Sequence, residues 1–184
     1  MRRRALAAAL AVGVAFAAWF LLLRTTTLEP TLTIALPTAV IGSGEDAIGV
    51  SSDGTLLVWQ EPPEDGSLPS LPLSEPPTSG RLAGPALEQA RVLGAAPAAI
   101  RSCIEGSRYG ESGVDVELRS GIELRFGDAS RAAEKWRSAV AVLAEPSITV
   151  LDYVDLHSPS RPAPGGEGHV LPSAEEGSGV ACGE

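Results

Sequence analysis

Nothing in this chain constrains its fold more than the run Ala5–Leu23, ALAAALAVGVAFAAWFLLL, which carries no charge and no strongly polar side chain. As an α-helix it is about 28 Å long at about 1.5 Å per residue, close to the ~30 Å hydrocarbon layer of a bilayer. Arg2, Arg3 and Arg4 precede it and Arg24 alone follows directly, so the positive-inside rule places the N-terminus in the cytoplasm. Trp19 stands near the far end, where an aromatic ring suits the interface. A cleaved signal peptide also begins with basic residues, but its apolar core is shorter and is followed by a small-x-small site. This run ends WFLLLR. The expected organisation is a cell-membrane protein with residues 1–4 cytoplasmic, a transmembrane helix over 5–23 and a linker over 24–30. Everything after the linker is expected to be extracytoplasmic.

Charge then limits what the exported part can meet. Without Arg2, Arg3, Arg4 and Arg24, 10 of the 14 basic residues remain against 23 acidic ones, a net charge of −13. Phosphate backbones and anionic lipid repel such a surface, which argues against nucleic acid as a partner. The length suits one domain with a modest Val, Leu, Ile and Ala core. Cys103 and Cys182 are the two cysteines. Export permits a disulfide, yet Cys182 sits in a Gly/Ser/Glu-rich stretch, so the pair reads as a structural thiol and a tail thiol.

Along the chain, Thr31–Leu36 (TLTIAL) alternates and reads as a strand. Ile48–Val50 and Thr55–Trp59 flank Asp53-Gly54, a hairpin signal. Glu61–Gly80 holds six prolines and excludes a helix. Pro85–Leu93 reads as a helix, with Pro85 in its first turn and Gly94 placed to end it in the left-handed conformation. Ser102–Glu105 is a short strand. Val114–Arg119 and Ile122–Phe126, joined by Ser120-Gly121, form the clearest hairpin, with Val114, Val116, Leu118, Ile122, Leu124 and Phe126 on the core side. A second helix is expected from about Ala129 to Ala144, capped by Asp128 and packed through Ala132, Trp136, Ala139, Val140 and Leu143. Ser147–Leu156 reads as the last strand, with Ile148, Val150, Asp152 and Val154 on one face. Residues 159–184 turn to Pro, Gly, Ser and Glu and read as a disordered acidic tail. Together these give an α+β domain over 31–158, a mainly antiparallel sheet with two packed helices.

The order of these pieces resembles the extracytoplasmic β-domain of the bacterial FtsQ/DivIB cell-division family. The resemblance rests on TLTIALPTAVIG, AIGVSSDGTLL, LPSLPL and GRLAGPALEQARVLGAAP, and above all on VDVELRSGIELRFGDASRAAEKWRSAVAVL followed by DYVDLHSPSRPA. Gly121, Gly127 and Lys135 fall on the family's hairpin-to-helix pattern, and Tyr153, Val154, Asp155 and Leu156 on its "yvDl" strand. Family members carry a POTRA domain between anchor and β-domain, and the short linker here leaves no room for one. The resemblance implies a non-catalytic scaffold of the divisome that binds small coiled-coil division proteins, FtsB/DivIC-like and FtsL-like, by β-augmentation at its C-terminal strand. Tyr153, Val154, Asp155, Leu156, His157 and Ser158 would carry that contact; His157 and Ser158 depart from residues common in the family.

Two other classes of function meet the same residues. For a hydrolase, Asp155 and His157 are two residues apart, but G-x-S-x-G is missing and His169, the other histidine, lies in the tail. Two histidines and two scattered cysteines fit no zinc spacing, and the glycines near Gly42 and Gly44 form no phosphate loop. No cofactor, metal or small-molecule substrate is expected. The alternative is a membrane-anchored binding or sensor domain unrelated to division. An edge strand open to a partner separates the first reading from this one.

Overall fold

The computed structural model describes residues 35–63 and 66–168. The expected transmembrane helix, the linker, Thr31–Ile34 and the last part of the tail lie outside these residues. Among the described residues no helix is long and apolar enough to cross a membrane.

The elements in order are β1 (Ala39–Ile41), β2 (Ile48–Val50), β3 (Leu56–Leu57), α1 (Gly84–Gly94), α2 (Ala98–Arg101), β4 (Ile104–Gly110), β5 (Gly113–Leu118), β6 (Glu123–Gly127), α3 (Ala132–Leu143), β7 (Tyr153–Asp155) and β8 (Ala163–Gly165). β1, β2 and β3 form one antiparallel run, and β4 to β8 a second in sequence order. Ser70 joins the two, bridging Val40 on one side and Gly106 on the other. Within the second run every pair is antiparallel except β6–β7, whose parallel register sets Leu124 opposite Val154. That parallel pair needs a crossover, and α3 lies within it.

The β5–β6 hairpin follows its alternation. Val114, Val116, Leu118, Leu124 and Phe126 are all buried, while Asp115, Glu117, Glu123 and Arg125 face the other way. The buried face packs with Ala90, Val92 and Leu93 of α1 and Trp136 and Ala139 of α3. The Trp136 ring tilts against Phe126 with centroids 4.9 Å apart, and its indole N–H donates to the Val92 carbonyl at 2.8 Å.

Several expectations need correcting. The first strand is Ala39–Ile41, and Ala35 and Leu36 are exposed coil. The second hairpin strand shrinks to Leu56–Leu57 because the chain turns back at once, Gln60 N–H donating to Leu57 O. β4 reaches Gly110, well past the expected Glu105. Gly94 lies inside α1 and Ala95 caps it in the right-handed region. Its glycine serves close packing instead: a Cβ there would stand 2.2 Å from the Ser52 Cβ. α3 begins at Ala132 behind Arg131, whose φ of 53° is left-handed, so Asp128 is not its cap. Asp128 Oδ1 accepts from Ser130 N–H at 3.1 Å and from Lys135 Nζ at 2.9 Å. Val140 is partly exposed, and Lys135 and Val142 are buried beside the expected residues. The long last strand is only Tyr153–Asp155; Leu151, Val154 and Leu156 are buried and Val150 is not, because the chain shifts phase before β7. Ala163–Gly165, expected in a disordered tail, forms β8. Proline-rich composition masked it, since proline removes an amide yet fits an edge strand. Cys103 is disulfide-bonded, against the expectation of a lone structural thiol; the composition around a cysteine does not decide whether it pairs.

Candidate partner-binding edge

The six residues expected to carry partner binding divide by position. Tyr153, Val154 and Asp155 form β7, which is an interior strand, flanked by β6 and by β8. The expectation that this strand is itself the sheet edge is therefore corrected. Val154 and Leu156 are buried core. Tyr153 and Asp155 are half-buried on the polar face, and His157 and Ser158 are exposed where the chain turns toward β8. Ser158 O accepts from Arg161 N–H at 2.9 Å, closing that turn.

The polar face is organised by register. Arg108, Asp115, Arg125 and Asp155 stand opposite one another on β4, β5, β6 and β7, an alternating row of charges. Arg108 pairs with Asp115 at 3.3 Å and also with Glu123, which Arg125 holds from its other side. Burial of Asp115 and the nearby Glu123 charge raise its carboxyl above the usual range. Glu123 moves the other way: burial opposes it, but hydrogen bonds from Arg125 and Arg108 lower it. The Arg125 guanidinium stacks 3.8 Å above the Tyr153 ring, a cation–π contact. On its far side Tyr153 lies over Gly165, where a Cβ would come within 2.6 Å of the ring. Tyr153 thus covers a bare stretch of β8.

His157 and Asp155 form a local pair. Asp155 Oδ1 accepts from the His157 backbone N–H at 2.9 Å and contacts ring Nδ1 at 2.8 Å. Burial acts against the Asp155 carboxylate, yet these His157 hydrogen bonds lower its pKa overall. Ring Nε2 lies 3.3 Å from the Ser112 carbonyl in the β4–β5 turn. The serine there offers a carbonyl and not its hydroxyl, so the geometry is a stitch between turn and strand. Gly127, at φ 68°, makes room for the ring, since a Cβ would stand 2.6 Å from it.

Beyond the expected residues, Asp152 anchors the far side of β8. Its carboxylate accepts from Glu167 N–H at 2.9 Å and Gly168 N–H at 3.0 Å. The cue was Asp152 just before the "yvDl" residues with a glycine pair following. β8 is exposed at Ala163 and Pro164. Among the described residues no group of three metal-ligating side chains occurs.

Comparison with known families decides the kinship. The family model described as cell division protein FtsQ/DivIB, C-terminal, matches residues 39–157. The chain belongs to the FtsQ/DivIB family. The match starts at β1 and stops at His157, so it takes in the FtsQ/DivIB domain up to the turn before β8. No curated protein matches the chain. Membership of the FtsQ/DivIB family points to a role in cell division.

Proposed function

We propose that this FtsQ/DivIB-family chain is a non-catalytic scaffold of the septal division machinery. Its Ala5–Leu23 run anchors it in the cell membrane with the N-terminus cytoplasmic, and its domain recruits small coiled-coil division proteins of the FtsB/DivIC and FtsL types. The partner engages the C-terminal end of the sheet by strand addition. Tyr153, Asp155, His157 and Ser158 supply side chains beside that edge, and Val154 and Leu156 hold β7 in place from the core side. The observation that carries this reading is β8, an exposed strand directly after the "yvDl" residues, with its outer side unpaired by any described segment. Unpaired backbone groups on such a strand are a ready template for another chain.

The test is membrane co-purification of tagged full-length chain against Tyr153→Lys and His157→Glu variants. Capture of small coiled-coil division proteins by the parent, reduced in the variants, supports the reading. If neither parent nor variants retain a division protein, the scaffold reading falls and an anchored binding domain unrelated to division takes its place.

A further inference from the structure

The two ends of the sheet treat their outer sides differently. At the β3 end, Thr55 bridges Arg81, Leu56 N–H donates to Gly80 O at 3.0 Å, and Leu82 N–H donates to Gly54 O at 2.8 Å. A passing segment therefore takes up the backbone groups there. At the other end no described segment covers β8 in this way. Its register on β7 is Tyr153 with Gly165, Val154 with Pro164 and Asp155 with Ala163. In an antiparallel pair, successive residues point their N–H and C=O alternately at the neighbour and away from it. Proline has no N–H, so Pro164 cannot take the position that exchanges both bonds with β7. Ala163 and Gly165 face β7, and Gly165 O accepts Asp152 N–H at 2.9 Å. Pro164 faces outward, and by the same alternation so does Pro162. Across residues 162–164 the outer side of β8 therefore offers two carbonyls and no amide.

We propose that Pro162 and Pro164 make β8 an acceptor-only edge, open to a strand from a different chain and closed to a second copy of itself. Two β8 edges brought together set carbonyl against carbonyl with no donor between them, so no ladder forms. An ordinary partner strand fares better. Its amides donate to the Pro162 and Pro164 carbonyls, and its own facing carbonyls remain in water on the exposed side. The partner this edge fits is an extended segment of another protein, free of proline at the two donating positions. This deepens the scaffold reading and rests on it for the identity of the partner, but self-exclusion can be measured without any partner.

The experiment compares full-length wild type, Pro162→Val and the double variant Pro162→Val/Pro164→Val in detergent by sedimentation velocity, with near-UV circular dichroism to check folding. Wild type should sediment as one copy across concentrations. The double variant, with two outward amides restored, should self-associate, and Pro162→Val should do so more weakly. The double variant should also hold a co-expressed coiled-coil division partner about tenfold tighter, as expected for two added hydrogen bonds. Concentration-dependent self-association of wild type, or folded variants that stay as monomeric as wild type, overturns the proposal. Should the double variant not fold, Pro162→Val, which lies outside β8, decides alone. Failure of wild type to capture any division partner sinks the scaffold reading and leaves the self-association result intact.

Discussion

The β6–α3 junction and the β7–β8 end handle polar groups in opposite ways. At the junction a lysine is almost wholly enclosed, with Lys135 1 % exposed. Its ammonium has three protons and three acceptors: Phe126 O at 2.8 Å, Asp128 O at 2.9 Å and Asp128 Oδ1 at 2.9 Å. A buried charge is tolerable only when so matched, and the match pins the end of β6 to α3. At β8 the outer backbone is matched by no described segment, and in the open water makes the mismatch inexpensive. Full satisfaction inside fixes a geometry. Partial satisfaction at the rim leaves bonding capacity for something else.

That contrast can be broken from either side. The largest effect should come from Trp136→Ala, which empties a fully buried site against Phe126 and takes the indole donor from the Val92 carbonyl, leaving it the Ala95 N–H alone. A loss of about 3–5 kcal/mol is expected in denaturant unfolding. Lys135→Met keeps the volume but leaves three acceptors facing an apolar chain. It should cost about 2–4 kcal/mol, and a near-neutral result would mean that the lysine is dispensable to the junction. On the rim, Gly166→Ala meets a φ of 102° and the Asp152 carboxylate 2.2 Å from the new Cβ. It should cost about 1–2 kcal/mol and, unlike the first two, should free the amides of Glu167 and Gly168 to hydrogen exchange without affecting those of β5 and β6.

The smallest effect is in pH. The side-chain hydrogen bond from Ser130, then that from Lys135, hold the Asp128 carboxyl down at about 2, against 3.8 for the free group. A lowered folded-state pKa contributes stability that is full above the unfolded value and fades as pH falls through the folded one. The junction should therefore weaken between about pH 4 and about pH 2. Because the Asp128 side chain is largely exposed, the slope should be shallow, and Asp128→Asn should remove it.

The β5–β6 hairpin was legible because its alternation of apolar and charged residues is unbroken from Val114 to Leu118. Trp136 and Ala139 were legible by helical spacing. Lys135 matched a family pattern, but its burial could not be read from a charge, since only the acceptors of Phe126 and Asp128 make it possible. The edge was misplaced for a related reason. Tyr153–Asp155 has an apolar pattern and β8 has none, so the sequence marks the first as a strand and gives no sign of the second. Ala-Pro-Gly is admitted to the sheet by Tyr153, whose ring supplies the cover that Gly165 lacks, a contact made across strands and invisible in either segment alone.

The parallel pairing of β6 with β7 has a consequence in time. A hairpin can close as soon as its turn has emerged, but β7 has no place to lie until α3 has returned the chain to the edge of β6. Non-local pairing of this kind carries its loop-closure cost before it gains contacts, and β8 can add only after β7. The strand proposed to receive a partner is thus the last piece of the sheet to be assembled, and its appearance signals that everything before it has already folded.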